Sequence, residues 1–277
     1  MKSVMLDSME YYKEINRMKE INRMKKIKSI KDVIKERMDT RLKNVYSAIA
    51  ICLSYKYHGY FVAGNSCNAS APHDFDLYPW CNSEFDFEGI KSRIESVGGY
   101  VIIETRNALT VNINSNIIQF CNYWKPDLIN LIESFDFAHI QVGVAVTIKW
   151  GPDGYDRSAV EYVEYTDNWQ RAHMLETTWY TGSDYPLSSL LRTVKYFQRG
   201  AYANKFEYKK DIINILNNII SRGYEDYQDY KDQLAAIDLL LLEPEESEAT
   251  WNLYLTCGKH GLVKTFTGNE LEDDNTL

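Results

Sequence analysis

The sequence lacks the marks of several protein classes. It contains no C-x-x-C pair, and its five cysteines (Cys52, Cys67, Cys81, Cys121 and Cys257) are odd in number and widely spread. That excludes a disulfide framework or a zinc ribbon and suits a reducing compartment. The five histidines are scattered with no H-x-x-x-H, which argues against a zinc hydrolase. No apolar run approaches the roughly 18 residues that span a bilayer. The N-terminus, MKSVMLDSMEYYKEINRMKE, has no apolar stretch followed by small residues and does not read as a secretory signal. The expectation is a soluble, cytoplasmic protein with no membrane partner.

What is present is 277 residues at 45% hydrophobic and 25% charged, enough for one large domain or two modest ones. Net charge is −8, unevenly spread: residues 1–45 hold thirteen Lys/Arg against seven Asp/Glu, a local +6 that leaves −14 for the rest. An acidic body does not hold nucleic acid by bulk electrostatics, so RNA contact would fall to a local basic surface, with the N-terminal arm the evident candidate. Within that arm KEINRM occurs twice, at 13–18 and 19–24. Apolar residues fall at every third position from Tyr12 to Val33. Three-residue spacing drifts about 60° per step around a helix, so the stripe cannot stay on one face. The reading is a basic helical arm over 1–45, of which residues 1–30 are expected to be dispensable for folding, with steadier amphipathic spacing from Val33, Ile34 and Met38 towards Leu53.

From Tyr60 strands and helices alternate. GYFVAG and DFDLYPW read as strands, SEFDFEGIKSRIESVGG as a helix capped by Ser83, and VIIETRNALTVNINSNIIQFCNYW as two strands about an Asn-rich turn. KPDLINLIESF is helical, and DFAHIQVGVAVTIKW is a strand ended by the turn GPDG. Beyond residue 155 helical patterns dominate: PLSSLLRTVKYFQRG, capped by Ser183 or Asp184, then EYKKDIINILNNIISRG and DYKDQLAAIDLLLLEPE, before an acidic tail. The fold class expected is mixed α/β (α+β), with an α/β domain over 46–155 and a mainly helical domain over 156–277.

The chemistry concentrates in FVAGNSCNASAPHDFDLYP. A strand delivers Gly64, Asn65 and Ser66 to a turn, and a second strand then carries Asp74 and Asp76. Side chains two apart on a strand share a face, so both carboxylates converge. Two facing carboxylates suit Mg²⁺ or Mn²⁺, hard ions that prefer oxygen ligands. The glycine lets backbone approach a triphosphate, and the turn's N–H groups and the Ser66 hydroxyl can donate to phosphate. The implied reaction is in-line attack on an α-phosphate.

This pattern resembles the DNA polymerase β-like nucleotidyltransferase superfamily: an apolar strand, Gly-Gly/Ser, a spacer, then Asp-x-Asp. Gly64, Ser66, Asp74 and Asp76 occupy those positions, and Asn65 replaces the second Gly. The chain is also similar to uncharacterised nucleotidyltransferase-like proteins of bacteriophages and large DNA viruses in TRNALTVN (105–112), SFDFAHIQ (134–141) and YPLSSLLRTVKYFQRG (185–200). The resemblance spans about residues 46–220. It implies a small mixed-sheet nucleotidyltransferase domain that moves a nucleoside monophosphate from an NTP to RNA, a small molecule or a protein, in the host cytoplasm if the source is viral. It also implies a third carboxylate on a later strand. The strand expected to supply it, VNINSNIIQFC, holds no acid; Gln119 stands among its residues, and Asp136 and Glu104 are the nearest acids. The site is therefore completed unusually or incomplete, and a weakened nucleotidyltransferase fold that binds nucleotide, RNA or a partner is the competing function. Asp136 reads equally as a cap of the helix-to-strand turn.

On the 187–198 helix, Arg192, Lys195 and Arg199 lie on one narrow face. Two readings are open: a solvated basic face, or a clamp on the triphosphate by Arg192 and Lys195. Leu187, Leu190, Leu191 and Val194 form the face expected to pack. His139 reads as a hydrogen-bonded core residue, and Cys67 as a small loop residue.

Overall fold

GYFVA is apolar at every position, and all five residues are buried, so it forms an interior strand, β1 (Gly59–Ala63). In DFDLYP, β2 (Asp74–Pro79), exposure alternates, with Phe75 and Leu77 buried and Asp74 open. The computed structural model describes residues 30–68, 74–80, 84–105, 107–227, 229–230 and 233. The KEINRM repeats, most of DYKDQLAAIDLLLLEPE, Ser83 and the acidic tail lie outside the described residues.

Seven strands form one mixed sheet, in the order β3-β4-β5-β2-β1-β6-β7. The others are β3 (Tyr100–Glu104), β4 (Ala108–Ile113), β5 (Asn116–Cys121), β6 (Val142–Gly151) and β7 (Gly154–Tyr165). β1 runs antiparallel to β2 and β6, and β2 runs parallel to β5. The segment expected to give two strands gives three. β4 and β5 form a hairpin about Asn114 and Ser115, both at positive φ, which a two-residue turn of this hand requires. β7 was not expected. GYDRSAVEYVEY alternates without a strong apolar face, as suits an edge strand.

Residues 30–42 form a helix, α1. Ile34, Met38 and Leu42 are buried at 2%, 0% and 0% exposure, because apolar spacing becomes four once the three-residue drift ends. Along another arc of α1, Lys31 bonds Glu164, Lys35 donates to the Glu161 carbonyl, and Asp39 accepts from the Val160 N–H, all on β7. Residues 30–45, expected to belong to the arm, are thus part of the packed body. The core face of the sheet is further covered by α2 (Tyr46–Leu53) and α4 (Phe87–Ile94), which pack on each other. Asp86 caps α4 by accepting from the Gly89 N–H.

The chain divides into two units: residues 1–128 with 142–164, and residues 129–141 with 165–277. This differs from a single boundary at 155. β7 carries the sheet unit on to Glu164, and the segment after the start of α5 (Leu128–Glu133) belongs with the helices.

The helical unit holds α6 (Asp167–Leu175), α7 (Pro186–Gln198) and α8 (Lys205–Arg222). Its core joins Phe137, Ile140, Tyr196, Tyr202, Ile215 and Ile219. α7 packs only part of the expected leucine face: Leu187 and Leu190 are half-buried against the core and Leu191 and Val194 are exposed, while Ser188, Ser189 and Thr193 are wholly buried. Burial of these hydroxyls is tolerated because they find acceptors; Thr193 Oγ1, for one, donates to the Ser189 carbonyl at 2.7 Å. The cap of α7 is Tyr185, without a side-chain bond, while Ser183 Oγ accepts from the Tyr185 N–H. α8 likewise buries Asp211, Ile215 and Ile219 and leaves Ile213, Leu216 and Ile220 exposed.

Replacing Met38 by Ala should lower the unfolding free energy by about 2–5 kcal/mol, as for other buried large-to-small changes. The same change at Val33, which is 56% exposed, should cost under about 0.5 kcal/mol. Urea denaturation of the two variants checks this. Equal costs would mean that α1 is not a packed element.

Candidate functional site

The turn after β1 opens at Gly64, whose φ of 84° lies in the region that glycine adopts without strain. Its N–H donates to the Val142 carbonyl, and its carbonyl accepts from the Cys67 N–H, closing a one-turn helix, α3 (Asn65–Asn68). Asn65 is half-buried. Ser66 is 1% exposed and its Oγ donates to the Ala63 carbonyl at 3.1 Å. The hydroxyl expected to face phosphate is therefore turned into the protein, which leaves the backbone of the turn and Asn65 for ligand contact. Cys67 is buried as expected of a small loop residue, and desolvation pushes its thiol up to about 12.

Val62 pairs with Leu77, so the chain leaves β1 at Gly64 beside the start of β2. Asp74 and Asp76 share one face of β2, roughly 6.6 Å apart along the strand. Asp74 is exposed and Asp76 half-buried. On the neighbouring parallel strand Ile117 stands opposite Asp74, and Gln119 opposite Asp76. One strand further, Thr110 stands opposite Gln119, and the Gln119 amide donates to Thr110 Oγ1 at 3.1 Å. With its nitrogen so engaged, Gln119 turns its carbonyl oxygen to Cys121 Sγ, 3.6 Å away. Cys121 reports the nearby charge: its thiol is raised well above the ordinary value, first by burial and then by Asp76, with Asp74 adding to it.

The other acids considered have partners of their own. Glu104 stands opposite Leu109, which faces the core side with Phe120 and Leu77, and it is bonded to Lys91. Asp136 belongs to the helical unit and is 2% exposed. Its Oδ2 accepts from Ser189 Oγ at 2.7 Å and pairs with Arg192 Nη2 at 2.9 Å; its Oδ1 is buried without a hydrogen-bond partner. Arg192, expected on an open basic face, thus holds a buried carboxylate, whereas Lys195 is exposed. Among the described residues no group of three His, Cys, Asp or Glu is placed to hold a metal. Oxygen ligands for a hard divalent ion are available from Asp74, Asp76 and the neutral Gln119 carbonyl. An open cavity of about 470 Å³ lies in the helical unit, lined by Glu133, Gln141, Thr166, Asp167 and Thr181 among others; none of the candidate residues lines it.

No family model matches the chain, and no curated protein matches it. Among solved structures, a Thermotoga maritima CCA-adding enzyme complexed with tRNA has 11% identity and a TM-score of 0.46, covering 79% of this chain and 52% of that one. A CCA-adding enzyme with CTP gives 11% and 0.46, covering 78% and 50%. A tRNA-processing enzyme in its apo form gives 12% and 0.38, covering 73% and 53%. The CCA-adding enzymes belong to the nucleotidyltransferase superfamily, and this chain spans about half the length of each of these structures. Likeness at this level carries no inference about activity, substrate or partner.

His139 is a core residue, its Nδ1 2.6 Å from Thr178 Oγ1 and its ring edge-on to Tyr196. Burial first, and the Arg192 charge second, lower its imidazole to about 4 from an ordinary 6.5. Between those values the unfolded chain binds the extra proton. The contribution to stability is therefore whole above about pH 6.5 and is lost as pH falls towards about 4. His139→Leu should lose less stability than wild type over that interval. Unfolding free energies at pH 7, 5.5 and 4 check it, and parallel profiles would rule out His139 as the titrating group.

Proposed function

We propose that the protein is a divalent-metal-dependent nucleotidyltransferase that moves a nucleoside monophosphate from an NTP to an acceptor of RNA, small-molecule or protein type. The observation that carries this reading is the placement of Asp74 and Asp76 on one open sheet face beside the Gly64 turn. In this reading the two carboxylates hold Mg²⁺ or Mn²⁺, which supplies Lewis-acid stabilisation of the phosphate oxygens. The Gly64 turn lets the chain approach closely, and the backbone N–H groups of Asn65 and Ser66 orient the triphosphate. Within the helical unit, Arg192 has one side of its guanidinium committed to Asp136. The acceptor oxygen bonds to the α-phosphorus as the α–β bridge breaks, and pyrophosphate leaves. RNA is engaged through the basic N-terminal residues, and the reaction runs in the cytoplasm, the host's if the source is viral. Among the described residues no helix is long and apolar enough to cross a membrane.

A second reading, favoured by Gln119 standing across from Asp76, is a weakened nucleotidyltransferase fold that binds nucleotide or a partner in a regulatory, anti-defence role. Incubating the protein with each labelled NTP, Mg²⁺ or Mn²⁺, and total RNA or lysate separates the two. Transferred label, lost in the folded Asp74→Ala/Asp76→Ala variant, supports the enzyme. Metal-dependent NTP binding without transfer supports the second reading. NTP binding unchanged in the double variant removes the carboxylates from the site.

Gln119→Glu should place a third carboxylate beside Asp76 and tighten Mn²⁺ binding by about tenfold, the scale of a charged ligand contact. Titration followed by electron paramagnetic resonance checks this. Unchanged Mn²⁺ affinity would mean that Gln119 does not face the ion.

A further inference from the structure

Two arginines of α1 reach the turn, and the sequence reading did not single them out. Arg37 and Arg41 are four apart and lie one above the other on the helix. Arg41 Nη1 donates to the Ser66 carbonyl at 3.1 Å. Arg37 Nη2 donates to the Cys67 carbonyl at 2.6 Å, and its Nη1 reaches the Asn68 carbonyl at 3.4 Å. The terminal carbonyls of a helix have no partner within it, and in α3 three successive carbonyls are held by these two guanidinium groups. α1 has little freedom to follow a moving loop. Ile34, Met38 and Leu42 fix it in the core, and Lys31, Lys35 and Asp39 fix it along β7.

A purely structural brace would not need two cations. Burial and the neighbouring Arg37 charge both lower the Arg41 guanidinium below its usual value, so the arrangement carries a repulsion. Arg37 Nε is also buried without a hydrogen-bond partner. Glutamine could satisfy a carbonyl with neither cost. Positive charge at this place gains its use when an anion meets the turn, since Gly-Asn-Ser-Cys-Asn holds no cationic side chain of its own. The charge of the Asp76 carboxylate is felt at Cys67 together with those of Arg37 and Arg41.

We propose that Arg37 and Arg41 are positioning residues for a nucleoside triphosphate: they fix the carbonyl side of Ser66–Asn68 so that the turn meets the phosphates ready-formed, and they add the positive charge the turn lacks. This rests on the reading of the turn as the phosphate site.

Calorimetric titration of the full chain with MgATP and with adenosine, alongside thermal unfolding, tests it. Arg41→Met should weaken MgATP about tenfold and leave adenosine unchanged. Arg41→Lys should recover much of the loss, because it keeps the charge and a donor. Arg41→Gln keeps a donor for the Ser66 carbonyl and removes only the charge, so it reads the electrostatic part even where Arg41→Met fails to fold. Its MgATP affinity should fall as well. If wild type binds MgATP and the folded glutamine variant binds it equally, the arginines are a brace alone and this inference falls. Equal weakening of ATP and adenosine overturns it too. A wild-type protein that binds neither ligand overturns the phosphate-site reading itself, and the inference with it.

Discussion

The parallel pairing of β2 with β5 is the constraint on which the candidate site depends. Parallel neighbours cannot be joined by a tight turn, so the chain must leave β2, pass through α4, β3 and β4, and return beside it. The register is set from the other side of the sheet. Phe75 and Leu77 on β2, with Ile118 and Phe120 on β5, are all buried within 4% exposure. A slip of one residue in β2 would turn Phe75 and Leu77 outward and both carboxylates into the core. The acids therefore need no interaction of their own to be held on the open face; the apolar alternation behind them places them there.

The helical unit is organised differently, around a charge. Asp136 would be costly to bury alone, and Arg192, Ser189 and the backbone turn at Thr181 surround it. That requirement explains why α7 buries serine and threonine in preference to Leu191 and Val194: a small hydroxyl face lets the helix approach the carboxylate and donate to it. Asp211 repeats the arrangement on α8, accepting from the Tyr180 N–H and the Tyr202 hydroxyl. Two buried acids, each tied to chain segments distant in sequence, fix how α7 and α8 meet the 135–141 segment.

This contrast decides what was legible in the sequence. β1, β2, the Gly64 turn and the shared face of Asp74 and Asp76 could be read, because strand alternation and glycine act locally. The opposition of Gln119 to Asp76 could be suspected but not fixed, since it depends on a pairing across more than forty residues. β7 gave little signal because its alternation is weak, and α1 falls within the basic arm by charge although the spacing from Val33, Ile34 and Met38 already marks an amphipathic helix. The packing face of α7 was legible only in part, Leu187 and Leu190 packing while Leu191 and Val194 do not, because apolar periodicity marks a buried stripe only when hydrophobic burial dominates, and here a buried carboxylate draws the hydroxyl side inward. Arg37 and Arg41 carried no local signal. Nothing but their four-residue spacing distinguished them from the many other basic residues of the first forty-five.

The neutral residue opposite Asp76 has an electrostatic consequence. One divalent ion between Asp74 and Asp76 gives a site of no net charge, whereas a second ion would leave an excess of two positive charges. A third carboxylate would reduce that excess; Gln119 cannot, and its carbonyl dipole offers a weaker ligand than an ionised oxygen. In the proposed reading, a strongly anionic ligand such as a triphosphate would offset such an excess. If the proposal for Arg37 and Arg41 holds, the cations that α1 brings to the carbonyls of the turn would act in the same direction, favouring a polyanionic ligand over a neutral one.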